Sequence, residues 1–300
     1  YRGQWKYNLM DDHVREMNAH VPTFMQWDDH EVVNNWSSSR SLMEDDRYSE
    51  KSIHVLAARA SQAFHEMTPL RITPAEPGRI YRKINYGPML DVFFLDLRSY
   101  RGPNSENMQT EMSQATDILG AEQMAWLKRE LTNSAATWKI IACDMPIGLV
   151  VGGGAEAVAN GDNGAAKGRE QEIAGLLRFI KTAQVDNVVW FTADVHYTAA
   201  HYYNPDKAQF QDFDPFWEFV SGPLHAGTFG PNELDGTFGP ELKYVKAPEE
   251  GQVNLPPSAG LQFFGLVDID AKTQQMKVRL MDRADTELYS VTLDPKGAAI

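Results

Sequence analysis

VDNVVWFTADVHYTAAH (185–201) carries four consecutive apolar residues, Val188, Val189, Trp190 and Phe191, followed at once by Asp194 and His196. A strand with no polar face is buried on both sides, as in a parallel sheet covered on both faces, and open sheets of that kind bind ligands beyond the carboxyl ends of their strands. WKIIACDMP (138–146) repeats the pattern, ending at Asp144 before Pro146 stops it. VPTFMQW (21–27) reads as a third buried strand, with Asp28, Asp29, His30 and Glu31 at its end. Ionisable side chains at three strand ends predict an α/β fold with a site along one edge of its sheet.

The intervening segments supply the layers. Residues 1–20 place Leu9, Met10, Val14 and Met17 at helical spacing, which predicts a packing helix, and 52–66 puts Ile53, Leu56, Ala57, Ala60 and Phe64 on one helix face. Residues 80–101 read as a hairpin turning at Gly87-Pro88, and ILGAEQMAWLKRELTNS (118–134) and 169–183 as helices. The Gly-rich stretch 148–168 lacks the G-x-x-x-x-G-K-[ST] order of a phosphate-binding P-loop and reads as a mobile or functional surface loop. Residues 201–258 read as a loop-rich aromatic region, and 261–295 alternates apolar and polar residues in three runs, an antiparallel meander within the same domain, which spans 1–300.

Forty-one acidic residues against 28 basic ones give a net charge of −13. That balance excludes a general binder of nucleic-acid backbone, which needs clustered Lys and Arg, and a phosphate substrate needs bound cations to approach the acidic clusters. No apolar run approaches the ~20 residues of a membrane-spanning helix. The single cysteine, Cys143, reads as a small buried hydrophobe. The chain opens at Tyr1-Arg2-Gly3 rather than at a methionine, which reads as a fragment or a processed product.

Hydrolysis of a phosphate ester needs a nucleophile at neutral pH, neutralisation of the phosphoryl charge and a proton for the leaving oxygen; metals supply the first two and a histidine the third. Asp29, Asp144, Asp194 and His196 offer the donors for hard or borderline cations, which leaves His30 as the acid. Asn35 reads either as a further ligand or as a turn residue. Arg98 and Arg169 read either as bidentate phosphate clamps or as structural partners of acids. A metal-dependent hydrolase of another bond, and a non-catalytic module keeping the fold, are the rival readings.

Taken together, WDDHEVVNNW (27–36), LDLRSYR (95–101), LGAEQMAWLKREL (119–131) with WKIIACDMPIG (138–148), Gly168-Arg169-Glu170, TADVHY (192–197), FWEFVSGPLHAGTFGP (216–231) and LQFFG…VDID (261–270) resemble the alkaline phosphatase D family, a branch of the calcineurin-like metallophosphoesterases. The resemblance implies a four-layer α/β/β/α sandwich that hydrolyses phosphomonoesters and phosphodiesters by attack of a metal-held hydroxide. It places Asp29 and His30 at the superfamily's GNH[DE] motif, Asp144 at its H-x-P element, and Asp194 and His196 at its GHxH, as ligands of the second and first metals. It further implies Fe3+ and Ca2+ as cofactors, a phosphate-ester substrate and a periplasmic or secreted location. The family's first-metal ligands and its GDxxY motif find no match and are expected to precede Tyr1, so the chain alone is expected to hold the second metal in part and the first barely.

Overall fold

The structure, a computed structural model, describes residues 1–296. Three helices precede the strands: α1 (Arg2–Asn8), α2 (Asp12–His20) and α3 (Ile53–Met67). The unbroken apolar run forms β4 (Val188–Thr192), the central strand of seven. Its companions are β1 (Arg82–Tyr86), β2 (Leu90–Phe94), β3 (Trp138–Ala142), β5 (Thr198–Tyr203), β6 (Phe216–Val220) and β7 (Pro240–Lys246), in the order β1-β2-β3-β4-β6-β5-β7. β2, β3, β4 and β6 run parallel, so their carboxyl ends share one edge, while β1, β5 and β7 add antiparallel flanks.

One face of this sheet packs against α4 (Gly120–Thr132) and α5 (Glu170–Thr182), whose stripes Met124, Leu127 and Leu131, and Ile173, Leu176 and Leu177, meet Phe93, Ile141 and Trp190. The other face packs on a second sheet, antiparallel in the order β10-β9-β8, made of β8 (Phe263–Ile269), β9 (Met276–Asp282) and β10 (Glu287–Leu293). Met276, Val278 and Leu280 of β9 meet Trp138, Ile140, Val189 and Phe219 there. A parallel-containing sheet with helices on one side and the C-terminal meander on the other is the expected α/β architecture. Cys143 is buried within the helix-side core, as expected of a small hydrophobe ending an apolar run.

Four segments differ from the reading of the sequence. Residues 21–27 form no strand. Pro22 lacks an N–H for a ladder, and Gln26 instead donates its amide to the carbonyls of Leu95 and Ala142, just past or at the ends of β2 and β3. The segment thus crosses the sheet edge and delivers Trp27 into a separate core with Val32, Val33, Trp36 and the α3 residues Ile53, Leu56 and Phe64. Residues 1–20 form two short helices with no buried residue, because Asp11 caps α2 through the Val14 N–H and ends the single stripe; Met10 and Met17 stay exposed.

The aromatic region 201–258 contributes β6, β7 and the end of β5 to the main sheet. Its polar residues masked the strands: His201 and Glu218 face each other across β5 and β6 in a buried hydrogen bond of 3.0 Å, and Glu218 also takes the Tyr203 hydroxyl at 2.8 Å and the Ile147 N–H at 2.8 Å. The Gly-rich stretch is a surface loop only in part: Gly152, Gly153, Ala155 and Gly161 are exposed, while Ala157, Val158 and Ala159 are buried.

Leu280 couples the two sheets from the middle of β9. Leu280→Ala is expected to lower unfolding stability by about 2–5 kcal/mol through lost burial and the cavity left behind. Urea unfolding measures this, and a loss below 1 kcal/mol would place the sheet-to-sheet core elsewhere.

Candidate active site

The chain leaves β2 in a tight turn that aims one arginine inward. The Asp96 carboxylate accepts the N–H groups of Arg98 at 3.0 Å and Ser99 at 2.9 Å, while the Gln123 side chain on α4 holds Asp96 from both sides, accepting its N–H and donating to its carbonyl, each at 2.8 Å. Arg98 is thereby sent beneath the carboxyl ends of β3 and β4, where its side chain is 0% exposed. Its Nε donates to Asp144 at 2.8 Å and to Asp28 at 3.0 Å, its Nη1 to Glu156 at 2.8 Å, and its Nη2 lies 2.7 Å from Asp28 and 2.8 Å from Asp194.

Four carboxylates around one guanidinium leave the cluster negative. Burial works against the charge of Arg98, yet Asp28, Asp144, Asp194 and Asp29 together hold its pKa well above the ordinary value. Burial also pushes the Asp144 and Asp194 carboxyls well above the usual carboxylate range; Asp28 pushes in the same direction and Arg98 opposes it. Asp144 keeps one oxygen, Oδ1, buried without a hydrogen-bond partner. Beside the cluster, Arg101 donates to the Glu156 carbonyl at 2.5 Å, and burial, with Arg169 and Arg98 nearby, brings its pKa down to about 9.

Above Arg98 opens a cavity of about 440 Å³. Asp28, Asp29 and Asp194 line it, each offering an oxygen, all within 4.8 Å of one another. Asp29 is held in place by the Asn35 N–H at 2.5 Å and by its own carbonyl, which accepts from Val32 at 2.9 Å. Asp194 takes a φ of 58°, the left-handed region that disfavours most side chains and recurs at functional sites. His30 is exposed on the rim with Nε2 3.8 Å from Asp29. His196 donates its Nδ1–H to the Gly227 carbonyl, which leaves Nε2 as the free lone pair of the ring, and Phe229 packs against it edge-on at 5.3 Å. Among the described residues, no Lys or Arg lines this cavity.

The structure therefore brings Asp29 and Asp194 together as read from the sequence, and adds Asp28. His30, Asn35 and His196 line the same cavity but lie outside the three-oxygen cluster. Asp144 is not among the residues that line the cavity and accepts from Arg98 Nε at 2.8 Å. Neither arginine reaches the cavity as a phosphate clamp. Arg98 is committed to acids, and Arg169, fully buried, gives Nε to the Ala157 carbonyl at 2.6 Å and Nη2 to those of Gly154 at 2.8 Å and Ala155 at 3.0 Å. Both are engaged by partners within the chain.

Glu156 was missed, although it is the one ionisable residue in 148–161 and its neighbours are all small or apolar. Asp28 was passed over because Asp29 beside it matched a motif position. Since Arg169 ties down the loop that carries Glu156, Arg169→Met removes a donor from three carbonyls of that loop and leaves the buried Gly154 without its partner. It is expected to cost about 1–3 kcal/mol and to speed proteolysis within 152–160, read by urea unfolding and limited digestion; an unchanged midpoint and digestion pattern would contradict this anchoring.

Known proteins share this architecture. The structure described as "Structure of PhoD" superposes with a TM-score of 0.55 at 20% identity, covering 90% of this chain and 51% of that one, a likeness of fold. Alkaline phosphatase D of Bacillus subtilis (strain 168) is 29% identical over 206 residues, covering 65% of this chain and 34% of that protein. The chain thus spans about a third of that curated relative's length and about half of the solved structure's. The family model described as PhoD-like phosphatase matches residues 1–280, nearly the whole length from the first helix into β9, and the chain belongs to that family.

Proposed function

We propose that this chain hydrolyses phosphate esters, mono- or diesters, in the cavity above Arg98, with a metal ion held by Asp28, Asp29 and Asp194. The observation that carries the reading is the cavity's charge: three carboxylate oxygens converge within 4.8 Å and no Lys or Arg among the described residues lines the wall. A phosphate anion enters such a site only with a cation already there. The donors fit one, since oxygens of three acids suit hard ions, and iron(III) and calcium, the ions implied by the family resemblance, are both hard. Bound there, such an ion supplies charge neutralisation for the phosphoryl oxygens and a nucleophile at neutral pH.

The chain's own groups supply the rest. His30, exposed at the rim 3.8 Å from Asp29, hands a proton to the leaving oxygen. Asn35 keeps Asp29 facing the cavity, and the Gly227 carbonyl fixes the His196 ring so that its Nε2 remains available to the metal or the substrate. Phe229, Asn232 and Asn254 form the wall left for the organic part of the ester. No helix among the described residues is long and apolar enough to cross a membrane; a periplasmic or secreted location is proposed from the family resemblance.

Hydrolysis of bis(p-nitrophenyl) phosphate, p-nitrophenyl phosphate and a simple alkyl phosphate tests the proposal, before and after EDTA and with calcium or iron restored. EDTA is expected to abolish turnover, and Asp29→Asn or Asp194→Asn to lower kcat/KM by about 100-fold or more through weakened metal binding. His30→Ala is expected to cost about 10²–10⁴-fold on the alkyl ester and less on p-nitrophenyl esters, whose leaving group needs little protonation. Turnover that survives EDTA, or full activity in Asp194→Asn, would sink the proposal.

A further inference from the structure

Gly227, Phe229 and Asn232 line the cavity from one loop, 227–232, which meets two consecutive residues, His196 and Tyr197, at successive points along its course. The Gly227 carbonyl accepts the His196 Nδ1–H, and the Phe229 N–H donates to the His196 carbonyl at 3.4 Å. Gly230 then lies against the Tyr197 ring, where an added Cβ would stand 2.5 Å from Cδ1 and Cε1. Its φ of 89° is also one that a side chain strains. The Asn232 N–H completes the series, donating to the Tyr197 hydroxyl at 3.1 Å. The imidazole faces the cavity, while Tyr197, 1% exposed, packs in the core with Leu149, Val195, Ala199 and Val220.

We propose that Tyr197 is a positioning residue for the reaction: it is the floor on which the loop is seated, and through the loop it fixes the His196 tautomer and the place of the Phe229 wall. Its bearing on catalysis rests on the phosphoesterase function proposed above. Other ties of the loop run to segments outside the named strands. Thr228 accepts from the Asn254 N–H at 2.7 Å and donates to the Leu255 carbonyl at 3.3 Å, and the Asn232 side chain donates to the Val150 carbonyl at 3.0 Å. Tyr197, by contrast, is rooted in the main sheet, one residue before β5 and in a core shared with β5 and β6. A loop lifted from Tyr197 withdraws the Gly227 carbonyl from Nδ1. A neutral imidazole without that acceptor divides its proton between the two nitrogens, so Nε2 is a lone pair only part of the time. The same movement takes Phe229 out of its edge-on contact with the ring.

Long-range proton–nitrogen spectra of the imidazoles test this in EDTA at about pH 8, where an ordinary histidine is neutral. The His196 signals are assigned from their loss in His196→Gln. The wild type is expected to show the Nδ1–H tautomer. Gly230→Ala, which puts a methyl against the ring, is expected to show a mixture of the two. Tyr197→Leu removes ring and hydroxyl together and is expected to match Gly230→Ala, whereas Tyr197→Phe keeps the ring under Gly230 and is expected to keep the wild-type tautomer. With bis(p-nitrophenyl) phosphate and metal restored, kcat/KM is expected to fall about 10–100-fold in Gly230→Ala and Tyr197→Leu, the usual loss when the partner that orients a functional histidine is removed. Tyr197→Phe is expected to stay near the wild type.

A wild-type His196 protonated at Nε2 would overturn the proposal. So would an unchanged Nδ1–H tautomer in folded Gly230→Ala and Tyr197→Leu, or a mixed tautomer at wild-type kcat/KM. If one of these two variants fails to fold, the other decides; if neither folds, Tyr197 serves stability and the proposal falls. A wild type that turns over no ester removes the phosphoesterase function, and the spectra still decide whether Tyr197 sets the His196 ring. Turnover in the wild type with unchanged tautomers in the variants removes the role of Tyr197 and leaves that function standing.

Discussion

Four acids meet beneath the carboxyl ends of β3 and β4, and one guanidinium holds them there. Taking a carboxylate out of water costs several kcal/mol unless it is paired, so Asp28, Asp144, Glu156 and Asp194 can share this space only around Arg98. Each comes from a different part of the chain: the segment crossing the sheet edge, the turn after β3, the Gly-rich loop and the turn after β4. Arg98 is therefore the point at which four pieces of backbone are tied together. A buried pair of this kind is weak evidence of net stability, because an apolar substitute of like volume can do as well. Its significance is positional, since it leaves Asp29, Asp28 and Asp194 presenting oxygens upward into the cavity.

The supporting structure is arranged to keep that guanidinium still. Asp96 caps the turn that launches it, Gln123 of α4 brackets Asp96, and the Glu156 loop is pinned by Arg169 through three carbonyls. On the far side, Glu218 gathers His201, Tyr203 and the Ile147 N–H, which secures the chain just past Asp144. Most buried polar groups here are joined in connected sets, Asp144 Oδ1 and the Arg101 Nε and Nη1 being left without partners, while His30 and part of Asp28 are exposed at the cavity rim where substrate and metal would arrive.

Much of this was legible in the residues. The runs at 138–142 and 188–192 are apolar at nearly every position, so their strand character and burial follow directly, and the acids just past them fall at the sheet edge as parallel topology requires. The α4 stripe and the alternation of 261–295 were equally plain, because period alone fixes which face is buried. What stayed hidden depends on long-range pairing. The strand character of 198–203 and 216–220 was masked by His201 and Glu218, whose burial makes sense only once they face each other. The bent course of 22–28 depends on Gln26 finding carbonyls at residues 95 and 142. The role of Arg98 rests on partners 46 to 96 residues away, a distance over which spacing carries no signal.

Membership in the PhoD-like phosphatases accounts for the order of these elements, and the chain's own geometry supplies the physical reason for a cation at Asp28, Asp29 and Asp194. Anomalous diffraction from crystals grown with manganese tests that reason most directly. The expected result is one anomalous peak among the three carboxylates, with Arg98 still bridging Asp144 and Glu156 below it. A crystal with no peak there, or with Arg98 turned out of the cluster and metal in its place, would contradict the account.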